Sequence, residues 1–219
     1  MCGRFALTLP NEAMADLFRS VPANDLPDTP NYNICPSDSV HAVTSEDGTR
    51  RLRPLRWGFL PHWYRTPTDG PLLINARAES IAQKPAFREA CGSRRCLVPA
   101  SGFYEWTRDS DNIRLPWYIH ARSEGALAFA GIWQDWERGS SSIAACAIVT
   151  TSANGTLAGI HHRMPVILDA RDWPLWLGEA GKGAAAAMKP APDDALRFHR
   201  VHAKVNSSRA RGAELVQPA

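Results

Sequence analysis

The second residue of the chain has a side chain whose chemistry depends on its position. Cys2 follows Met1 directly, and the small residue Gly3 comes next. An initiator methionine is normally trimmed before a small residue, so we expect Cys2 to become the N-terminus, with an α-amine and a thiol on adjacent carbons. The reference pKa values, about 7.7–8.0 for the amine and about 8.5 for the thiol, allow both groups to react near neutral pH. The alternative is that Cys2 is an arbitrary residue of a frayed terminus.

A strand-like stretch places polar side chains at every second position. In LLINARAES (72–80), Asn75, Arg77 and Glu79 alternate with the apolar positions 74, 76 and 78. Successive side chains of a strand point to opposite faces, so the pattern predicts one polar and one core-facing side. The polar face is either a functional surface or simply the wet face of the strand.

A second candidate is a carboxylate among aromatic residues. Glu105 stands between Tyr104 and Trp106 in VPASGFYEWT (98–107). Burial in such surroundings raises the pKa of a carboxyl group, which suits a general acid near neutral pH. An edge glutamate paired with an arginine is an equally weighted alternative.

The third candidate is a histidine two residues before an arginine. His161 and Arg163 precede the apolar end of GIHHRMPVIL (159–168), and alternation predicts that they share one side while His162 faces the other. A histidine beside an arginine can move a proton next to an anion site, although an isolated histidine is more often structural.

The composition is that of an ordinary globular protein. The 219 residues are 44% hydrophobic and 21% charged, and five irregularly spaced cysteines predict neither a disulfide framework nor a metal site. No apolar run approaches the about 18 residues of a membrane helix, and a signal-peptide core is lacking, so we expect a cytoplasmic protein without a membrane partner. The net charge of +3, with arginines clustered at 50–56 and 94–95, favours a ligand of limited size.

The elements that must position these residues are short. Apolar spacing and breakers predict helices at 10–21, with Asn11 as a possible cap, at 84–91 and at 170–178. Strands are predicted at 39–44, 51–59, 72–78, 95–106, 116–121, 127–133, 142–151 and 164–168. This pattern indicates an α+β fold, a single domain over 1–219 built on curved, mostly antiparallel β-sheet with short peripheral helices. We interpret 178–190 as a variable surface segment.

Several motifs follow one another in a characteristic order: MCGRFA, YNICP, RWGFLPHW, INARAES, RRCLVPASGFYEW, AGIW, TTSAN and IHHRMPVIL. In this combination the chain resembles the SRAP family, the SOS response-associated peptidases, from Met1 to about Ile167. A weaker similarity follows in VNSSRARGAELVQP near the C-terminus. The resemblance implies the SRAP fold.

The resemblance also implies an activity. In that family a processed N-terminal cysteine covalently captures abasic sites in single-stranded DNA, through a Schiff base that closes to a thiazolidine. Carried over, that nucleophile is Cys2, and the family's assisting residues fall on Asn75, Glu105 and His161. The implied partner is single-stranded DNA with an abasic site, and we expect a monomer without a cofactor. The family name adds a peptidase (hydrolase) activity compatible with self-removal of Met1, and a lyase reaction from the Schiff base stays open.

The family's DNA contacts can be carried over in the same way. Its phosphate-binding arginines fall on Arg4, Arg77 and Arg163. The WGFLPHWY stretch is similar to a family loop that offers aromatic rings near the DNA, which makes Trp63 and Tyr64 candidates.

Two other functions stay open. Class II glutamine amidotransferases also begin with MCG, which allows an N-terminal-nucleophile amidohydrolase, although MCGI is their usual continuation and INAR and GFYEW do not fit. A non-covalent single-stranded DNA shield is the second alternative. The chain also departs from the family near its end, where Arg209 and Arg211 flank Ala210 in place of a frequent asparagine–aspartate or asparagine–glycine pair, and the sequence identifies no partner at replication forks.

Overall fold

The computed structural model describes residues 2–123 and 125–219. In these ranges the strands are β1 (Phe5–Leu7), β2 (Val21–Pro22), β3 (Asn31–Ile34), β4 (Ser39–Glu46), β5 (Thr49–Trp57), β6 (Asn75–Arg77), β7 (Arg95–Ala100), β8 (Gly102–Arg108), β9 (Arg114–Ala121), β10 (Leu127–Arg138), β11 (Ser141–Ser152), β12 (Arg163–Pro165) and β13 (Leu196–Arg200). The α-helices are α1 (Asn11–Phe18), α2 (Arg88–Ser93) and α3 (Trp173–Leu177). Many strands with short helices confirm the predicted α+β class.

Five strands of the larger sheet close into a barrel. Antiparallel pairs join β5, β4, β7, β10 and β11 in that order. Parallel pairing of β11 with β5, at Ala145 opposite Arg56 and Cys146 opposite Trp57, connects the two ends. The short strands β6 and β12 attach to β11, and β2 attaches to β5. Closure leaves the five barrel strands without a free edge, and the mostly antiparallel, curved sheet is as predicted.

A smaller sheet packs against the barrel with its N-terminal strand in the interior. Its order is β13-β9-β8-β1-β3, so β1 is paired on both sides. The ring of Phe5 in β1 packs edge-on against Trp57 and Phe129 of the barrel, with centroid distances of 5.1 and 6.0 Å. The residues just before β1 are therefore held between the two sheets.

The other face of the smaller sheet is covered by the C-terminal part of the chain. Tyr104 and Tyr118 form a separate buried cluster with Val201, Val205 and Leu215. The last two belong to the 3₁₀ helices Ala203–Asn206 and Ala213–Val216. The chain's first strand and its last turns consequently lie on the same sheet.

The predicted elements differ from the observed ones in specific places. Asn11 is the first residue of α1 rather than its cap, and its amide oxygen lies 2.8 Å from Nε2 of His41. The run predicted at 95–106 is broken at Ser101 into β7 and β8, which belong to different sheets. Strands β1, β3 and β13 were not predicted. Across the described residues, none of the helices has the length and apolar character that a membrane crossing requires.

Candidate functional site

The centre of the candidate site is Cys2, three residues before β1. The pairing of Phe5 with Ile34 of β3 and with Phe103 of β8 fixes the start of this strand. Cys2 itself is fully buried and packs in the main core. Burial, reinforced by the nearby Glu105 carboxylate, raises the pKa of the Cys2 thiol well above its usual value. The thiol therefore keeps its proton until a base accepts it.

Asn75 holds the backbone of Cys2. It lies in β6, which runs parallel to β11 with Asn75 opposite Ile148. Its Nδ2 donates to the carbonyl oxygen of Cys2 at 2.8 Å. Its Oδ1 is buried and, among the described residues, accepts no hydrogen bond. Because buried polar atoms are normally paired, this oxygen is available to a donor on a bound molecule.

Glu105 supplies a titratable group next to Cys2. It lies in β8, between β1 and β9, and is only 4% exposed. Burial raises the pKa of its carboxyl group from 4.5 to about 7. Near neutral pH this group can therefore either donate or accept a proton.

His161 lies in the loop before β12, beside Glu105. Its Nδ1 is 3.9 Å from a carboxylate oxygen of Glu105. The same Nδ1 lies 2.9 Å from the backbone nitrogen and 3.1 Å from the carbonyl oxygen of Arg163, so the backbone of this residue fixes the position of the ring. Burial lowers the pKa of His161, so the ring is neutral near pH 7. The predicted opposite placement of His162 is wrong: β12 begins only at Arg163, and the two imidazole rings stack at 4.4 Å.

Two pockets are lined by residues next to Cys2. The first, of about 370 Å³, we name the Glu105 pocket; it is lined by Gly3, Arg4, Glu105, Trp106, Arg108, Arg114 and His161. The second, of about 440 Å³, we name the Trp63 pocket; it is lined by Trp63, Leu73, Asn75, Arg77, Ser80, Lys84, Pro85, Ala86 and Phe87. Gly3 belongs to the first pocket, and the amide that holds Cys2 belongs to the second. Residues in direct contact with Cys2 thus line two separate pockets.

The three arginines carried over as phosphate contacts have different surroundings. Arg77 is exposed in the Trp63 pocket and, among the described residues, has no hydrogen bond or ion pair. Arg163 is bound bidentately by Glu79 at 2.7 and 2.9 Å and also donates to the Thr150 carbonyl oxygen. Arg4 donates to Oδ1 of Asn33 at 2.7 Å. Arg77 is therefore available to a phosphate as it stands, whereas Arg163 is already engaged by an acidic partner.

The two aromatic candidates also differ. Trp63 is 45% exposed and lines the Trp63 pocket. Tyr64 is buried with Leu60 and Trp136, and its hydroxyl donates to the Pro71 carbonyl oxygen at 3.2 Å. The expectation that Tyr64 offers its ring to DNA is corrected here, because that ring is part of the core; only Trp63 presents a free face.

The amide side chain of Asn33 joins the site to the C-terminal segment, and the sequence had indicated no role for it. Asn33 is fully buried; its Oδ1 accepts from Arg4, and its Nδ2 donates to the carbonyl oxygens of Ser207 and Ala210 at 3.0 and 2.9 Å. Arg4 donates as well to the carbonyl oxygen of Val205 at 2.9 Å. Asn33 belongs to the YNICP motif, but two of its three partners are backbone carbonyls, which have no sequence signature. The departure at Arg209–Arg211 falls next to this contact.

Comparison with solved structures identifies the fold. The chain matches the crystal structure of a protein from Bacteroides thetaiotaomicron with a TM-score of 0.87 and 25% identity, covering 100% of both chains. The barrel with the smaller sheet packed against it is thus a fold already known among bacterial proteins.

Sequence comparison identifies the family. The model of the SOS response associated peptidase (SRAP) family matches residues 1–208, and the chain belongs to that family. It is 35% identical to the abasic site processing protein YoaM of Bacillus subtilis, covering 99% of this chain and 97% of that protein. It is 31% identical to the abasic site processing protein YedK of Escherichia coli, covering 100% of both chains.

Proposed function

We propose that this protein captures abasic sites in single-stranded DNA by forming a covalent bond with Cys2, after removal of Met1. The observation that carries the proposal is the setting of Cys2, whose carbonyl is held by Asn75 and whose neighbour Glu105 has a pKa of about 7. The names of the relatives YoaM and YedK, both abasic site processing proteins, support the same substrate.

The first step joins the amine to the sugar. An abasic site equilibrates between a closed ring and an open-chain aldehyde. The neutral α-amine of Cys2 attacks the aldehyde carbon, a C–N bond forms, and the carbonyl oxygen leaves as water, which gives a Schiff base. Glu105 is well suited to protonate the departing oxygen, because at neutral pH a large fraction of its carboxyl groups carry a proton.

The second step closes a ring. Because Glu105 supplied a proton to the departing water, the Schiff-base nitrogen keeps one amine proton and is positively charged. The Cys2 sulfur adds to its carbon, a C–S bond forms, the C=N electron pair returns to nitrogen, and the thiol loses its proton, which leaves a neutral five-membered thiazolidine. The raised pKa of the thiol means that the sulfur needs a base at this point. Glu105, left as a carboxylate by the first step, accepts the thiol proton and so regains the proton that it gave to the departing water. One water is lost overall.

The remaining site residues have supporting roles. Asn75 fixes the Cys2 backbone, and its unpaired Oδ1 accepts from a sugar hydroxyl or from the amine. His161, neutral near pH 7 and 3.9 Å from Glu105, exchanges a proton with the sugar oxygen. The exposed ring of Trp63 favours unpaired bases, which stack on aromatic faces, and this is the argument for single-stranded DNA.

The test is the intact mass of the untagged protein, alone and after mixing with a single-stranded oligonucleotide that carries one abasic site. We expect loss of Met1 and a heat-stable adduct whose mass is that of protein plus oligonucleotide minus one water. Cys2→Ala should retain DNA binding and form no heat-stable adduct without borohydride, since an imine is trapped only by reduction. Cys35→Ala, which alters a half-exposed cysteine outside both pockets, is the matched control and should react normally.

Two results would contradict the proposal. One is a heat-stable adduct in Cys2→Ala. The other is an unchanged adduct yield in a protein with a tag before Met1 that is shown by mass to be retained, since such a protein has no α-amine on Cys2.

A further inference from the structure

The Glu105 pocket contains a pair of arginines to which no role has been given. Arg108 at the end of β8 lies directly opposite Arg114 at the start of β9. Both side chains are exposed and line the pocket. Like charges directly opposite each other in a sheet repel, so this pairing is unfavourable unless an anion lies between or beside them.

Within the described part of the chain, the acidic group that interacts electrostatically with this pair is the buried Glu105 carboxyl, which acts on Arg114. Among the described residues, neither arginine forms an ion pair with a carboxylate. Arg108 uses one nitrogen, Nη1, to donate to the backbone and side-chain oxygens of Asn112 at 2.8 and 3.1 Å. Its Nε and Nη2, and all the nitrogens of Arg114, have no hydrogen-bond acceptor within that part of the chain.

The position of Arg114 is fixed by an aromatic ring. Its guanidinium carbon lies 4.7 Å from the centre of the Trp106 ring. Trp106 is held in turn, because its Nε1 donates to Oδ1 of Asn206 at 2.7 Å. Stacking leaves the edge of a guanidinium, where its N–H groups point, free to bind an anion. Stacking on Trp106 thus holds the Arg114 guanidinium in place and leaves its N–H groups available to an anion.

We infer that the Glu105 pocket binds a backbone phosphate of the DNA strand on one side of the abasic residue, through Arg108 and Arg114. The inference rests on the proposed function. Gly3 lines the Glu105 pocket, and Asn75, which holds Cys2, lines the Trp63 pocket. In this arrangement the strand on one side of the abasic residue occupies the Glu105 pocket, and the strand on the other side occupies the Trp63 pocket with Arg77. Guanidinium groups bind phosphate oxygens with paired, charge-assisted hydrogen bonds.

The experiment uses two short oligonucleotides that carry a tetrahydrofuran analogue of the abasic residue, which has no aldehyde and therefore reports binding alone. One has the analogue at its 5′ end and a 3′ extension, and the other has the reverse arrangement. The double variant Arg108→Gln/Arg114→Gln is compared with Arg77→Gln in the Trp63 pocket. Arg51→Gln/Arg197→Gln is the control, because it removes the same charge from exposed positions outside both pockets.

The expected result is a split between the two oligonucleotides, meaning that each variant weakens the binding of one oligonucleotide and not of the other. Arg108→Gln/Arg114→Gln should weaken binding of only one of them, by about tenfold, as for the loss of one charge-assisted contact. The slope of log K against log salt for that oligonucleotide should fall by about 0.7 per phosphate released. Arg77→Gln should weaken the binding of the other oligonucleotide. The control variant should not weaken the binding of either oligonucleotide more than that of the other.

Equal weakening of both oligonucleotides, or no weakening beyond that of the control, would overturn the inference. The adduct of the unaltered protein with an aldehyde-bearing oligonucleotide is measured in parallel. If that adduct is absent the proposed function fails, whereas an adduct without the split overturns only the phosphate site.

Discussion

Replacing Glu105 with glutamine should stabilise the folded protein at neutral pH. The carboxyl group is buried, and its pKa is raised from 4.5 to about 7. The folded state therefore holds this proton more tightly than the unfolded chain does, so the free energy of unfolding falls as the pH rises from about 4.5 to about 7. The difference of about 2.5 between the two pKa values corresponds, at about 1.4 kcal/mol per pH unit, to about 3 kcal/mol. Glu105→Gln has no proton to lose and avoids this cost.

The assay is urea unfolding of the full chain at several pH values. Glu105→Gln should match the unaltered protein within about 0.5 kcal/mol near pH 4 and exceed it by about 3 kcal/mol at pH 8. In a thermal scan at pH 8 the midpoint should rise by about 6–12 °C, at about 2–4 °C per kcal/mol for a chain of this size. The same variant should form the adduct more slowly, since it cannot transfer a proton.

The control is Glu137→Gln at an exposed position of β10, which should change stability by less than about 0.5 kcal/mol at every pH. The reasoning would be refuted if Glu105→Gln were no more stable than the unaltered protein at pH 8. It would equally be refuted if the gain were the same at pH 4 and pH 8, because a pH-independent gain has a cause other than the buried charge.

Three further predictions concern the surroundings of the site. Asn33→Ala should lower the free energy of unfolding by about 3 kcal/mol in urea, because it removes a buried amide that accepts from Arg4 and donates to two carbonyl oxygens. Glu79→Gln should cost at most about 1 kcal/mol, since its carboxylate is half exposed, while the freed Arg163 tightens DNA binding in a titration at low salt. The pKa of Glu79 is lowered by its hydrogen bond with Arg163, so the stability that Glu79→Gln loses at pH 7 should disappear as the pH falls below the usual carboxyl range. Trp63→Ala should leave stability within about 0.5 kcal/mol but weaken single-stranded DNA binding by about 1–3 kcal/mol, measured by fluorescence anisotropy.

The short strand at Asn75 shows how much the sequence pattern could predict. Period-two alternation predicted that Asn75 and Arg77 share a side, and both line the Trp63 pocket while Ala76 is fully buried. Strand β1 could not be predicted in this way. All three of its residues are buried because both faces of this strand are covered, and alternation is then lost.

Other features depend on contacts between distant parts of the chain. The ion pair that engages Arg163 comes from Glu79, 84 residues away, and no local pattern links the two. Trp63 and Tyr64 are neighbours of similar chemical type, yet one ring is exposed and the other is buried. Arg108 and Arg114 fall opposite each other only because the hairpin register places them there.

The contact between Asn33 and the C-terminal segment has a consequence for synthesis of the chain on the ribosome. Arg4 and Asn33 are among the first residues made, but the carbonyls of Val205, Ser207 and Ala210 that they bind are among the last. At about 5–20 residues per second, about 10–40 s separate the two ends. Strand β1 also pairs with β8, which lies in the middle of the chain and is made later. Cys2, the nucleophile of the proposed reaction, is thus made early and acquires its full set of supporting contacts only when the C-terminal segment has been made, so an incomplete nascent chain contains Cys2 without the finished site.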